Sequence, residues 1–295
     1  MSCFGFCKKK ANTQETTQNT RAQRFQRPVR LKETTRTFST VSIKDSSSTN
    51  PRPFQTTSNL VIGIDFGTTF TGVAYSHSAA TTATTDGLSG NAVAEKVAVI
   101  RTWPDHNQQY AEKTPTIISY STNPPTWGGG VKPRHDQKFS KFKLGLEPAV
   151  KRIYGSRDGE PGFWTNSAGS KEPVDVTADY LTCIHNFVEE RFLPSTYGAE
   201  FLRNQRRIYL ITVPAIWSDL AKDLTRKAAA RAGIPDEKLF LVTEPEAAAL
   251  YCATTCEEVD LNNGDRFLVC DAGGGTVVYT IQTCADSRIS SHIRL

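Results

Sequence analysis

The sequence contains no long hydrophobic run. Its longest apolar stretch, residues 247–250 followed by Tyr251, is far shorter than the roughly 20 residues that a membrane-spanning helix requires. Hydrophobic residues still make up 38% of the 295 residues, and together with the 20 glycines they reach the level of an average globular protein. The composition therefore argues against a membrane-spanning protein and against a wholly disordered chain.

Paired cysteines and metal-binding histidines are also absent from the sequence. None of the seven cysteines forms a C-x-x-C pair, and the five histidines show no ligand spacing near them. Neither a disulfide scaffold nor a zinc site is therefore expected. We expect Cys183, Cys252 and Cys270 to be small buried hydrophobic residues in a reducing compartment, which favours a cytoplasmic location.

The net charge of +5 belongs to the first part of the chain. Residues 1–58 hold 11 Lys/Arg against three Asp/Glu, whereas the following 237 residues hold 24 basic and 27 acidic side chains. A basic arm on a mildly acidic body, without basic motifs interleaved with aromatic residues, is not typical of a nucleic-acid-binding domain. We therefore expect no nucleic-acid partner.

Residues 1–58 are predicted to be a disordered arm, because Ser, Thr, Gln and Arg dominate and aliphatic residues are few. Two alternatives stay open for this arm. Cys3 and Cys7 beside the lysines at 8–10 suit a palmitoylated, polybasic membrane anchor, although Ser2 stands where myristoylation needs glycine. The Arg-rich stretch at 21–36 suits a mitochondrial transit peptide, but the amphipathic helical pattern is missing.

From residue 59 onward the patterns become those of a mixed α/β body. Runs of Val, Ile and Leu predict strands, and apolar residues at every fourth position from Tyr180 to Phe192 predict a helix. Ser218 as N-cap and Gly233 as stop bound a second predicted helix. The predicted strands are residues 60–66, 70–76, 97–103, 116–120, 208–213, 239–242, 266–271 and 276–282, and the predicted helices are residues 176–192, 218–231 and 244–253.

Two segments repeat a design that suits phosphate binding. In each, a hydrophobic strand ends in an aspartate, Asp65 or Asp271, and is followed by a turn of glycine and threonine and by a returning strand. Glycine lets backbone N–H groups approach phosphate oxygens, threonine adds a hydroxyl donor, and the aspartate can hold Mg²⁺ directly or through its waters. We call residues 67–69 the first glycine loop and residues 273–276 the second. Neither a P-loop nor a G-x-G-x-x-G motif occurs, so the duplicated hairpin indicates a different nucleotide-binding fold.

Several further motifs accompany the two loops. They are Thr114-Pro115-Thr116, Trp127-Gly128-Gly129-Gly130-Val131-Lys132, Val213-Pro214-Ala215 and Thr243-Glu244-Pro245-Glu246-Ala247-Ala248-Ala249. In order and spacing, this set resembles the 70 kDa heat-shock chaperones of the DnaK type, within the actin-like ATPase superfamily. Glu246, the short Trp-Gly loop and the long basic arm look more like divergent fungal-type relatives than like the standard chaperone.

The resemblance implies a protein that binds ATP with Mg²⁺ and meets protein clients or co-chaperones. It makes Asp65 and Asp271 the metal residues and Pro214 a switch residue. Its implied catalytic residues are Lys132, which would reach the γ-phosphate side, Glu244, which would lie at the water and metal, and Asp271. Its implied nucleotide-binding residues are Gly67, Thr68, Thr69, Gly273, Gly274, Gly275 and Thr276.

The implied fold is the actin-like ATPase fold, with a complete ribonuclease-H-like first lobe at 59–257. Residues 258–283 would form only the first hairpin of a second lobe that is truncated, and residues 284–295 match nothing in the family. Val278 stands where the family carries a second aspartate, so we expect ATP binding with weak or no hydrolysis. The alternative is a catalytically inactive fragment that serves as an interaction module. A carbohydrate kinase of the same superfamily is disfavoured, because no sugar-binding motif occurs.

Overall fold

The computed structural model of the chain describes residues 4–8, 59–78, 97–104, 110–132, 138–154, 171–255, 266–272 and 277–283. As the sequence predicts, the structure is mixed α/β. The strands are β1 Phe4–Lys8, β2 Asn59–Phe66, β3 Phe70–Ser78, β4 Ala98–Val99, β5 Lys113–Pro115, β6 Ile117–Ser119, β7 Thr126–Trp127, β8 Lys138–Ser140, β9 Arg206–Val213, β10 Leu239–Thr243, β11 Arg266–Ala272 and β12 Val277–Thr283. The α-helices are α1 Pro148–Tyr154, α2 Pro173–Asn186, α3 Leu193–Tyr197, α4 Ala199–Arg203, α5 Asp219–Arg231 and α6 Glu244–Thr255, and 3₁₀ turns lie at Gly128–Gly130, Phe142–Leu146 and Asp236–Lys238.

A six-stranded sheet carries most of the hydrophobic core. Its order is β10-β9-β2-β3-β4, and β5 also pairs with β3. Strands β2 and β3 form the predicted antiparallel hairpin, whereas β9 pairs parallel with both β2 and β10. Leu60, Ile62 and Ile64 of β2 are fully or almost fully buried, because this strand lies in the middle of the sheet. The parallel pairing brings the carboxyl ends of β2, β9 and β10 to one edge of the sheet, where ligands bind in open α/β sheets.

Helices α2 and α5 pack against each other and confirm two sequence predictions. The predicted helix at 176–192 begins slightly earlier, at Pro173, and its last residues form a π-helical turn at Phe187–Phe192. Ser218 caps α5 as predicted, since its Oγ accepts a hydrogen bond from the Ala221 N–H at 3.3 Å.

The strand predicted at 97–103 is only partly formed, since β4 contains Ala98–Val99 alone. The N–H of Ile100 still donates to the Val73 carbonyl at 2.9 Å, and the chain then leaves the sheet. The indole of Trp103 is buried in the core, and its Nε1 donates to the Ala111 carbonyl at 2.9 Å. Burial of this large ring therefore takes the place of continued strand pairing.

Two three-stranded sheets, β7-β6-β8 and β1-β11-β12, complete the described structure. Strands β11 and β12 form the second predicted hairpin. Strand β1 pairs antiparallel with the other edge of β11, so residues 4–8 are extended, whereas the sequence predicts disorder there. Two phenylalanines in this short segment give it the composition of a strand. The rest of the predicted arm and the tail at 284–295 lie outside the described residues.

None of the helices that the structure describes combines the length and the apolar character of a membrane span.

Candidate functional site

Asp65 lies at the edge of the central sheet where β2, β9 and β10 end. Its side chain is 44% exposed. Oδ1 accepts a hydrogen bond from Thr212 Oγ1 on β9 at 3.1 Å, and Oδ2 lies 2.6 Å from Nζ of Lys113 on β5. Groups from two other strands of the sheet therefore hold both oxygens of this carboxylate.

The first glycine loop follows Asp65 directly and is held by backbone contacts. The Gly67 N–H donates to the Asp65 carbonyl at 3.1 Å, and Thr116 binds the loop twice: its Oγ1 donates to the Gly67 carbonyl at 2.8 Å and its N–H donates to the Thr69 carbonyl at 2.8 Å. A Cβ at position 67 would lie 2.2 Å from the Phe70 carbonyl oxygen, so only glycine fits the turn. Thr68 and Thr69 are partly exposed, and a ligand can reach them.

Buried hydroxyl groups support the loop from the core side. The Oγ1 atoms of Thr71 and Thr116 are 2.8 Å apart, and because the Thr116 hydroxyl donates to Gly67, Thr71 must be the donor in this pair. The Tyr180 hydroxyl donates to the Pro115 carbonyl at 3.1 Å. Burial raises the pKa of Tyr180 above its ordinary value, so the hydroxyl remains a donor across the physiological range. The loop thus rests on a satisfied polar network.

A buried ion pair between Glu244 and a lysine that the sequence motifs do not include lies at the same edge. Lys143, in the 3₁₀ turn Phe142–Leu146, has a side chain only 3% exposed, and its Nζ is 2.5 Å from Oε1 of Glu244. Glu244 begins α6 directly after β10. The Lys143 ammonium also lies 5.6 Å from the ring centres of Phe66 and Trp217. The one sequence signal for this residue is a lysine inside an apolar run, which does not reveal its partner 101 positions later.

The structure places the remaining predicted site residues less completely. Lys132 is exposed and follows the turn Gly128–Gly130. Asp271 lies in β11 opposite Val278 of β12. The side chain of Asp271 and the second glycine loop lie outside the described residues. The structure therefore brings together Asp65, the first glycine loop and Glu244, while the roles of Lys132, Asp271 and the second loop stay predictions.

The residues at this edge fit a phosphate group accompanied by hydrated Mg²⁺. Asp65 supplies a half-exposed carboxylate, the first glycine loop supplies hydroxyl and N–H donors, and Lys113 and Lys143 supply positive charge. Mg²⁺ usually keeps several waters and binds through one or two carboxylates together with substrate phosphates. Within the ranges that the structure describes, no three His, Cys, Asp or Glu side chains are grouped closely enough to enclose a metal. A metal held jointly by Asp65 and a phosphate fits this donor set.

Comparison with known proteins identifies relatives that are named as heat-shock proteins and chaperones. No protein-family model matches the chain. The chain is 27% identical to heat shock 70 kDa protein 12A of Mus musculus, in an alignment that covers 79% of this chain and 41% of the mouse protein. It is 30% identical to the protein of the same name from Homo sapiens, in an alignment that covers 65% of this chain and 28% of the human protein. It is 28% identical to the chaperone protein HscA of Buchnera aphidicola, with 74% and 32% covered. The chain thus spans less than half the length of these relatives.

Proposed function

This chain is a relative of the 70 kDa heat-shock proteins, and we propose on that basis that it is a chaperone-related protein that binds ATP with Mg²⁺. The relationship implies an actin-like ATPase fold, and the mixed α/β architecture agrees with that fold. We extend the proposal to its finer division, with a ribonuclease-H-like first lobe at 59–257 and the first hairpin of a second lobe at 258–283.

The observation that carries this proposal is the arrangement of Asp65 and the first glycine loop. The carboxylate lies at the ligand-binding edge of the sheet, and the loop that follows is too tight for any residue but glycine at position 67. In our proposal, backbone N–H groups and the hydroxyls of Thr68 and Thr69 donate to phosphate oxygens, and the second glycine loop binds the phosphate chain from the other side. Asp65 and Asp271 hold the hydrated metal, which neutralises phosphate charge when it is bound.

Two lysines compete for the role at the γ-phosphate side. The sequence resemblance assigns it to Lys132, which is exposed. The geometry favours Lys143, because Glu244 positions its ammonium at the carboxyl edge of the sheet. The ammonium lies 5.6 Å from the ring centre of Phe66, the residue that directly follows Asp65. Lys143 in turn orients the Glu244 carboxylate, and an oriented carboxylate can align a water for attack on phosphate.

We propose that hydrolysis by this chain is weak or absent. Phosphoryl transfer depends almost entirely on positioning and on charge neutralisation, and Val278 supplies no carboxylate opposite Asp271. The same observation favours a second candidate function, that of a catalytically inactive interaction module. In either case we propose a cytoplasmic protein whose partners are ATP or ADP and protein clients or co-chaperones.

Binding of labelled ATP to the purified chain, measured by equilibrium dialysis with and without Mg²⁺, tests the proposal. We expect Mg²⁺-dependent binding with a dissociation constant above the micromolar level, where binding is worth about 8 kcal/mol. Asp65→Asn should abolish the Mg²⁺ dependence. Asp223→Asn is a matched control, because Asp223 is 50% exposed and is also paired with a lysine, Lys227, at 2.8 Å. Equal Mg²⁺ dependence in the parent and in Asp65→Asn would refute the assignment of Asp65.

Replacement of each candidate lysine by alanine tests which of the two, Lys132 or Lys143, contacts the γ-phosphate. We expect the loss of ATP affinity to be larger for Lys143→Ala than for Lys132→Ala. A larger loss of ATP affinity for Lys132→Ala would instead assign the contact with the γ-phosphate to Lys132.

A further inference from the structure

Three residues stand in one row across the central sheet beside the first glycine loop. Asp65 on β2 is opposite Gly72 on β3, and Gly72 is opposite Lys113 on β5. The side chain of Lys113 crosses the row, and its Nζ lies 2.6 Å from Asp65 Oδ2. We call these three residues the cation row.

Gly72 makes room for the lysine to cross. A Cβ at position 72 would lie 3.2 Å from Cγ of Lys113 and 3.3 Å from the Glu112 carbonyl oxygen, so the lysine stem fills the space above the glycine. A glycine inside a strand weakens the strand and often marks the close approach of another group. In the cation row, that group is the stem of Lys113.

The contact between Lys113 and Asp65 is poorly suited to a purely structural role. The two side chains are 40% and 44% exposed, and ion pairs at such exposure contribute little to stability. A comparable pair, Asp223 with Lys227, lies on one face of α5, where i,i+4 spacing alone explains it. The contact between Lys113 and Asp65 instead depends on the alignment of three strands and on the space left by Gly72. The carboxylate that the lysine contacts lies at the candidate phosphate site.

We propose that Lys113 is a tethered cation of this site, which pairs with Asp65 in the free protein and with a phosphate oxygen when nucleotide is bound. This inference rests on the proposed function. The Lys113 ammonium lies at Oδ2 and the Thr212 hydroxyl donates to Oδ1, and because a neighbouring ammonium repels a divalent cation, Lys113 and Mg²⁺ compete for the carboxylate. When phosphate binds, the Lys113 ammonium can leave Asp65 and contact a phosphate oxygen instead. The Asp65 carboxylate is then available to the metal. A flexible stem with three donors at its end suits such an exchange.

A metal titration without nucleotide tests the competition. Mn²⁺ serves as a paramagnetic substitute for Mg²⁺, and electron paramagnetic resonance measures the free ion in the presence of the full chain. Lys113→Met keeps an unbranched stem and removes the charge, so we expect it to raise the affinity for Mn²⁺ about tenfold, which corresponds to about 1.4 kcal/mol. The matched control Lys227→Met should leave the affinity unchanged. Equal results for the parent and Lys113→Met, including no measurable binding by either, would overturn the competition.

ATP binding in the presence of EDTA tests the contact with phosphate. We expect Lys113→Met to weaken metal-free ATP binding about tenfold, Lys113→Arg to retain part of it, and Asp65→Asn to strengthen it, since the lysine is then released. Circular dichroism and thermal melting verify that each variant is folded. Equal metal-free binding by the parent and Lys113→Met would overturn the phosphate contact. If the parent binds no ATP with or without Mg²⁺, the proposed function fails, whereas the Mn²⁺ titration still decides whether Lys113 and metal compete for Asp65.

Discussion

Gly67→Ala is expected to distort the first glycine loop and to abolish phosphate binding there. The new Cβ would lie 2.2 Å from the Phe70 carbonyl oxygen, and real Cβ atoms essentially never come closer than 3.0 Å to another heavy atom. The backbone must therefore move by at least about 0.8 Å. The atom that is met belongs to the backbone, so no side-chain rotation can relieve the clash.

The size of the effect follows from how firmly the loop is held. Thr116 binds the carbonyls of Gly67 and Thr69 at 2.8 Å, so a shift of the loop strains or breaks these hydrogen bonds. Overpacking of this kind costs about 1–3 kcal/mol of stability. A displacement near 1 Å also moves the donors away from phosphate oxygens, and misplacement on this scale can cost about 100-fold in a positioned reaction.

Gly63→Ala is the matched control, four residues earlier on β2. A Cβ at position 63 meets nothing closer than the Ala74 carbonyl oxygen at 3.9 Å, which is ordinary van der Waals contact. This variant should be as stable as the parent or slightly more stable, because alanine restricts the unfolded chain. Urea unfolding and ATP dialysis on both variants provide the assay. Unchanged stability and unchanged ATP binding in Gly67→Ala would refute the close-approach argument.

Three further predictions concern the ion pair and the buried ionisable groups. Lys143→Met should destabilise the chain by about 3 kcal/mol in urea unfolding, because it leaves Glu244 partly buried without its cation, and adding Glu244→Gln should recover part of the loss. Burial and the hydrogen bond to Glu189 raise the pKa of Tyr209, so the folded chain retains a proton that the unfolded chain releases above pH 10. Stability should therefore fall by about 1.4 kcal/mol per pH unit for this group above pH 10, and Tyr209→Phe should reduce the slope. Burial raises the pKa of Cys183 to about 11, so iodoacetamide should label this thiol at pH 8 far more slowly than it does in the urea-unfolded chain.

Local patterns predicted the elements whose signals are local. Ser218 satisfies an N–H of its own helix three residues away, so the start of α5 is readable from the sequence. The hairpin of β2 and β3 is readable for the same reason, since its strands and turn are contiguous. Strand β4 ends early because the indole of Trp103 is buried in the core and donates to the Ala111 carbonyl. The sequence of residues 97–103 alone does not reveal this contact.

The candidate site is predictable from the sequence where each part lies within a short motif, as for Asp65 with its loop and for Glu244 in the segment 243–249. Asp65 and the first glycine loop form one short segment, and the sequence identified them together. Lys143 was missed because its role depends on burial and on Glu244, and neither is visible from the flanking residues. The cation row was missed for a related reason: Lys113 and Asp65 are 48 positions apart, and only the strand register aligns them.

The two hairpins differ at the position opposite their aspartates, and this difference bears on what each can contribute. Opposite Asp65 stands Gly72, which leaves room for the stem of Lys113. Opposite Asp271 stands Val278, whose side chain is branched at Cβ and contains no oxygen. The register therefore places a glycine opposite the first aspartate and a valine opposite the second. We infer that Mg²⁺ replaces the Lys113 ammonium at Asp65 when nucleotide binds. We propose that hydrolysis stays weak because Val278 supplies no carboxylate opposite Asp271.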